Sequence, residues 1–207
     1  MKQRRKYHQP DSLQPGTRQL QKQDTRSRIL QNAAKLFRKQ GLTNTGVDEI
    51  MKSAGLTVGG FYNHFRSKNA LIAESLGTAL DDAKHRLLKD PTKTTAIYLS
   101  RQHRDRPEEG CVLAALASEL PRQNALVKRR LEKHLESWVT DFTAQGLSRG
   151  ESLEIISRAV GALILSRVVD SEKLSDEILK TGRDQNLSLK RSRSSASDRS
   201  SKAKRSR

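Results

Sequence analysis

The chain has 207 residues, with 40 basic side chains against 23 acidic and a single cysteine, Cys111. That length holds one or two domains, and the net charge of +17 points to a polyanionic partner. One cysteine excludes an intramolecular disulfide, and no segment approaches the ~20 consecutive apolar residues of a membrane span.

The excess charge is unevenly spread. Net charge is +5 over residues 1–23, +5 over 24–68, zero over 69–181 and +7 over 182–207. The opening MKQRRKYHQPDSLQPG lacks the apolar stretch of a secretory signal, so a cytoplasmic, nucleoid-associated protein is expected. Residues 1–23 carry Pro10, Pro15, Gly16 and six glutamines with little apolar material, which predicts a disordered basic arm.

From residue 25 onward the pattern is helical throughout. Ile29, Leu30, Ala33, Ala34, Leu36 and Phe37 lie on one face of a helix over 25–40, stopped by Gly41. Val47, Ile50, Met51 and Ala54 fit one face of a second helix, 46–54, with Thr45 as N-cap and Asp48 three residues on. Gly55 can adopt the positive φ that ends it. A third helix, 58–65 with Thr57 as cap, turns Phe61 and Phe65 inward and leaves Val58, Gly59, Tyr62, Asn63 and His64 outside. Two short helices joined by this turn are a helix-turn-helix, whose second member enters the DNA major groove. Gly59 and Gly60 sharpen that reading. Each costs ~1 kcal/mol against Ala in a helix interior, yet glycine lets backbone approach a phosphate or a base edge.

Further helices are predicted at 68–89, 92–104, 110–120, 124–145, 149–169 and 173–183. No period-2 segment or hairpin signal intervenes, so the fold class is all-α. Residues 186–207, rich in Ser, Arg and Lys, bury too little to order and predict a disordered basic tail. No paired acid and base or activated nucleophile stands out, so an enzyme, a metal site and a cofactor are not expected. His64 lacks a second ligand at metal spacing, and His103, Asp105 and Cys111 form no metal or nucleophile pattern.

The order ILQNAAKLFRKQG, VDEIMKSAG, LTVGGFYNHFRSK resembles the N-terminal domain of TetR/AcrR-type transcriptional regulators over about 45 residues. The resemblance implies a three-helix DNA-binding domain at 24–68 and a helical-bundle domain at 69–185 for effector binding and dimerisation. By matched position it implies DNA contacts from Val58, Gly59, Gly60, Tyr62, Asn63 and His64, and phosphate contacts from Thr45, Thr57 and Lys68. Val58 and Asp48 depart from the commoner polar or basic residues there, which weakens direct electrostatic readout. The segment HRDRPEEGCVLAALASELPRQ resembles one branch of the same family.

In that family a small effector lies among the middle helices of the second domain. The implied lining is Leu99, His103, Cys111, Leu113, Leu116, Trp138 and Phe142, although the last two also read as ordinary core. Cys111 reads either as a small buried hydrophobe or as a redox sensor whose thiolate a helix N-terminus favours. The family's last two long helices form a dimeric four-helix bundle, implying Ile156, Val160, Gly161, Leu163, Ile164, Leu174 and Ile178 at the two-fold. The expected function is a sequence-specific repressor, released by a ligand, dimeric on a palindromic operator of double-stranded DNA. The rival is an architectural DNA-coating protein with little sequence preference, to which the basic tails point.

Overall fold

A computed structural model describes residues 15–87 and 91–184, and the tail predicted for 186–207 lies outside the described residues. The described part is helical without strands. Its first domain comprises α1 (Pro15–Gln40), α2 (Val47–Ser53) and a 3₁₀ helix (Val58–Asn63). α3 (Lys68–Leu87) leads into α4 (Pro91–Tyr98), α5 (Arg101–Asp105), α6 (Val112–Ala115), α7 (Ala125–Ala144) and α8 (Arg149–Val168). A last helix, α9, runs over 172–184.

Four differences from the sequence expectation have local causes. α1 begins at Pro15 rather than Thr25, so residues 15–23 are helical and not part of a disordered arm. Proline suits the first helical position, and the Gln, Lys, Arg and Leu that follow are strong helix formers. The expected helix 92–104 breaks at Ser100, whose hydroxyl accepts from the His103 N–H (3.2 Å) and starts α5 afresh. The expected helix 110–120 shrinks to one α turn, Val112–Ala115, followed by a 3₁₀ turn at Leu120–Arg122. The second helix of the helix-turn-helix is 3₁₀, not α, over a run whose two glycines lend it little side-chain support.

α1 buries Ile29, Ala33 and Phe37 completely, and α3 does the same with Leu71. Burying Ile29, Phe37 and Leu71 contributes roughly 1.5–3 kcal/mol each. These stripes face each other, and α3 carries Leu76 and Leu80 onward to pack against α7. α3 is therefore the shared wall of both domains.

α7 is capped by Asn124, whose side chain accepts from the Val127 N–H (3.1 Å). α8 opens with a capping box between Ser148 and Glu151. α9 is tied back by the Ser175 hydroxyl on the Ser166 carbonyl (2.6 Å) and by Arg101 donating to Asp176 (2.9 Å).

Candidate nucleic-acid interface

The turn between α2 and the 3₁₀ helix is fixed by backbone chemistry. Gly55 takes φ +71°, which lets its N–H donate to the Lys52 carbonyl (3.0 Å) and the Leu56 N–H to the Met51 carbonyl (2.9 Å). This Schellman arrangement needs a left-handed residue at that position. The chain then re-enters as the 3₁₀ helix, anchored by Phe61 (1% exposed) and Phe65, whose rings stack with centroids 5.8 Å apart.

With those rings inward, the opposite face is free. Tyr62 is 77% exposed and Val58 45%; Thr57, Gly59 and Asn63 are exposed as well. Gly60, His64 and Lys68 are half-buried. A Cβ placed on Gly59 would meet nothing within 4 Å, so no neighbour in the chain requires glycine there.

Thr45 departs from expectation. It is fully buried, and its hydroxyl donates to the Gly41 carbonyl (2.6 Å), so it does not reach a phosphate. α2 starts after Gly46 with no side-chain cap, and the Thr45–Asp48 capping box does not form.

Two arginines hold this unit in place, and sequence periodicity carries no sign of their partners. Arg26 pairs with Glu74 on α3 and lies over the Phe65 ring, 4.7 Å from its centroid. Arg28 donates to the Ala54 carbonyl at the end of α2 (3.0 Å). Burial, with the nearby Lys22 and Arg26 charges, lowers the His64 pKa below the usual histidine value. Its Nδ1 is buried without a hydrogen-bond partner.

Residues 29–75 match the family profile described as bacterial regulatory proteins, tetR family. The chain is 46% identical over 52 residues to the transcriptional regulator AcrR of Shigella flexneri, covering 25% of this chain and 24% of that one. It is 25% identical over 124 residues to the transcriptional repressor DhaR of Mycobacterium sp. strain GP1, covering 56% and 63%. A TetR-family regulator structure from Agrobacterium tumefaciens superimposes with a TM-score of 0.62 at 21% identity, covering 79% of this chain and 98% of that one. Residues 29–75 thus carry a tetR-family DNA-binding segment. The chain spans less than two thirds of the length of these two curated relatives.

The expected effector residues separate into two groups. His103 and Cys111 line a cavity of about 360 Å³ with Ile97, Ser100, Arg106 and Gly110. Leu99, Leu116, Trp138 and Phe142 are instead buried among neighbouring side chains, and Leu113 packs half-buried on the same core. These five positions do not line that cavity.

The His103 ring is clamped. Its Nδ1 lies 2.6 Å from the Tyr98 carbonyl and its Nε2 accepts from the Cys111 N–H (2.8 Å), which assigns a neutral ring protonated on Nδ1. A Cβ on Gly110 would sit 2.5 Å from that Nε2, so only glycine fits there. Cys111 is 2% exposed, and the Tyr98 hydroxyl is buried beside it, its pKa raised first by that burial.

The expected dimer residues also divide. Leu163 is completely buried in the chain's own core and cannot serve a two-fold seam. Ile156, Val160, Gly161 and Ile164 on α8 and Ile178 on α9 are half-buried, and Leu174 is 44% exposed. The same region exposes Leu153, Leu165 (56%) and Val168 (74%), which lie outside the expected set. Over residues 159–165 α8 is apolar on all sides, so periodicity there does not tell its inner face from its outer one. Among the described residues no cluster suits a metal ion, and no helix is long and apolar enough to cross a membrane.

Proposed function

We propose that this chain is a cytoplasmic transcriptional repressor that binds a palindromic operator as a homodimer and leaves it when a small molecule enters its second domain. The observation that carries the reading is the exposed face of the 3₁₀ helix. Tyr62 and Asn63 stand free on a unit braced from behind by Phe61, Phe65, Arg26 and Arg28. Asn can meet adenine with two hydrogen bonds, and an open Gly59 admits the duplex close to the backbone. Thr57 and Lys68 flank the face as phosphate ligands.

Dimerisation follows from the outward apolar face of α8 and α9. Leu153, Leu165 and Val168 on α8 and Leu174 on α9 leave large apolar side chains facing water, which a second copy would cover. Gly161 sits among them with open space around its Cα, which suits close approach of a second copy. Two recognition helices must then meet half-sites about 34–36 Å apart. An effector in the cavity beside His103 and Cys111 that re-spaces them needs only ~1–3 kcal/mol of coupling for a 5–150-fold loss of affinity.

The test is enrichment of duplexes from a random library, followed by footprinting of the selected sequence. A discrete protected palindrome supports the repressor. Uniform coating without an enriched sequence would replace it with the architectural role.

A further inference from the structure

α1 is longer than the domain it serves. The segment matching the family profile begins at Ile29, yet the helix starts at Pro15. Residues 16–24 are all exposed, Leu20 included at 67%, so this extension rests on no core of its own.

Its register carries the inference. The face that buries Phe37, Ala33 and Ile29 continues toward the amino terminus as Arg26, Lys22 and Arg18, at helical spacing of three or four residues. The buried apolar stripe thus turns cationic where the helix runs off the domain. Arg26 fixes the direction in which that stripe looks, because it lies on the Phe65 ring and pairs with Glu74 at the foot of the 3₁₀ helix. Lys22 is one turn further out and close enough to His64 for its charge to act on that ring. Arg18 lies about 12 Å beyond Arg26 along the axis. Among the described residues, Arg18 and Lys22 have no ion-pair partner, whereas Arg26 is engaged.

We propose that the Arg18–Lys22 face of α1 is a second DNA-contacting surface, which grips backbone phosphates beside the groove entered by the 3₁₀ helix. The proposal rests on the DNA-binding reading above and adds to it a contact outside the helix-turn-helix. Two cations one turn apart on a rigid helix match a polyanion that runs past the recognition face. They read no bases, so their contribution is to affinity and to salt dependence rather than to sequence choice.

The probe is the duplex that the unsubstituted full chain enriches from a random library, titrated by fluorescence anisotropy at several salt concentrations. Arg18→Ala with Lys22→Ala takes two phosphate-neutralising cations from each protomer. The slope of log affinity against log salt then falls by about 1.8 per protomer, or about 3.6 for a dimer. Preference for the enriched duplex over scrambled DNA stays unchanged. The charge-conserving pair Arg18→Lys with Lys22→Arg keeps the original slope. All these side chains are exposed, so circular dichroism should match throughout.

An alanine pair with unaltered slope and affinity overturns the proposal. So does an alanine pair that changes the molecular mass by light scattering but not DNA binding, because the extension then meets protein. A charge-conserving pair that loses as much slope as alanine also overturns it, since the loss is then not electrostatic. If the unsubstituted chain enriches no duplex, the DNA reading itself falls and this surface falls with it. Normal enrichment with an indifferent alanine pair removes only the extension.

Discussion

Glu119 and Leu42 join the two domains: the Glu119 carboxylate accepts the Leu42 N–H through both oxygens, at 3.0 and 3.1 Å. The same carboxylate takes the Thr43 N–H (3.1 Å) and the Thr43 hydroxyl (3.2 Å). The loop between α1 and α2 therefore hangs on a side chain from the segment that follows α6. That segment is continuous with the cavity edge at Gly110 and Cys111, which links the clamp in sequence to that cavity.

Glu119→Ala should destabilise the fold by about 1–3 kcal/mol, since two backbone donors are left without their acceptor. Glu119→Gln retains one carbonyl oxygen and should cost less. Urea denaturation ranks the two variants, and equal stability of all three proteins would mean that the clamp adds nothing to the fold.

Gly59→Ala offers a trade between stability and binding. The added methyl meets open space, so the free chain should be unharmed or slightly more stable, by up to about 1 kcal/mol. Operator affinity should fall, because the methyl stands where the duplex must approach. Thermal melting and anisotropy on one preparation check both signs. A stable Gly59→Ala chain with full affinity means the duplex does not come close there.

His64 predicts a pH dependence. Burial first, then Lys22 and Arg26, hold its folded pKa below the usual value of about 6.5. The unfolded chain therefore takes up the proton first as pH falls, so this residue's contribution to stability is complete above about 6.5 and declines below it. Phosphates nearby act in the opposite sense and raise the pKa in the complex, so DNA affinity should grow as pH falls through that range. His64→Gln should flatten the pH profile of binding relative to the parent. Parallel profiles would mean that no phosphate approaches the ring.

Gly161→Arg tests the seam. The position is open in the single chain, so the variant should fold, while the bulky charge blocks close approach of a second α8. Light scattering should then report monomer and operator affinity should collapse. A dimeric Gly161→Arg chain places the interface elsewhere.

Much of the first domain is legible in the sequence because its signals are local. Gly55 marks a positive φ within a five-residue motif, and the spacing of Phe61 and Phe65 sets which face of a short helix turns inward. Thr45 misleads because a threonine before a helix reads as a cap, while here its hydroxyl turns back to Gly41. The Arg26–Glu74, Arg28–Ala54 and Glu119–Leu42 pairings join segments far apart in sequence, and no period records them. Leu163 reads as a seam residue because its stretch of α8, 159–165, is apolar all round, and only packing against the rest of the chain tells which face is inside. The start of α1 at Pro15 is hidden by a polar stretch with no apolar stripe to follow.

The sharpest test compares Asn63→Ala with Lys68→Ala on the enriched duplex and on scrambled DNA. Asn63→Ala should erode discrimination by about 1–3 kcal/mol, as expected when one bidentate hydrogen-bonded pair to a base is removed, with little change on scrambled DNA. Lys68→Ala should weaken both duplexes alike and reduce the salt slope by about 0.9 for each phosphate left unneutralised. Unchanged affinity and discrimination in both variants would contradict the assignment of this face to DNA.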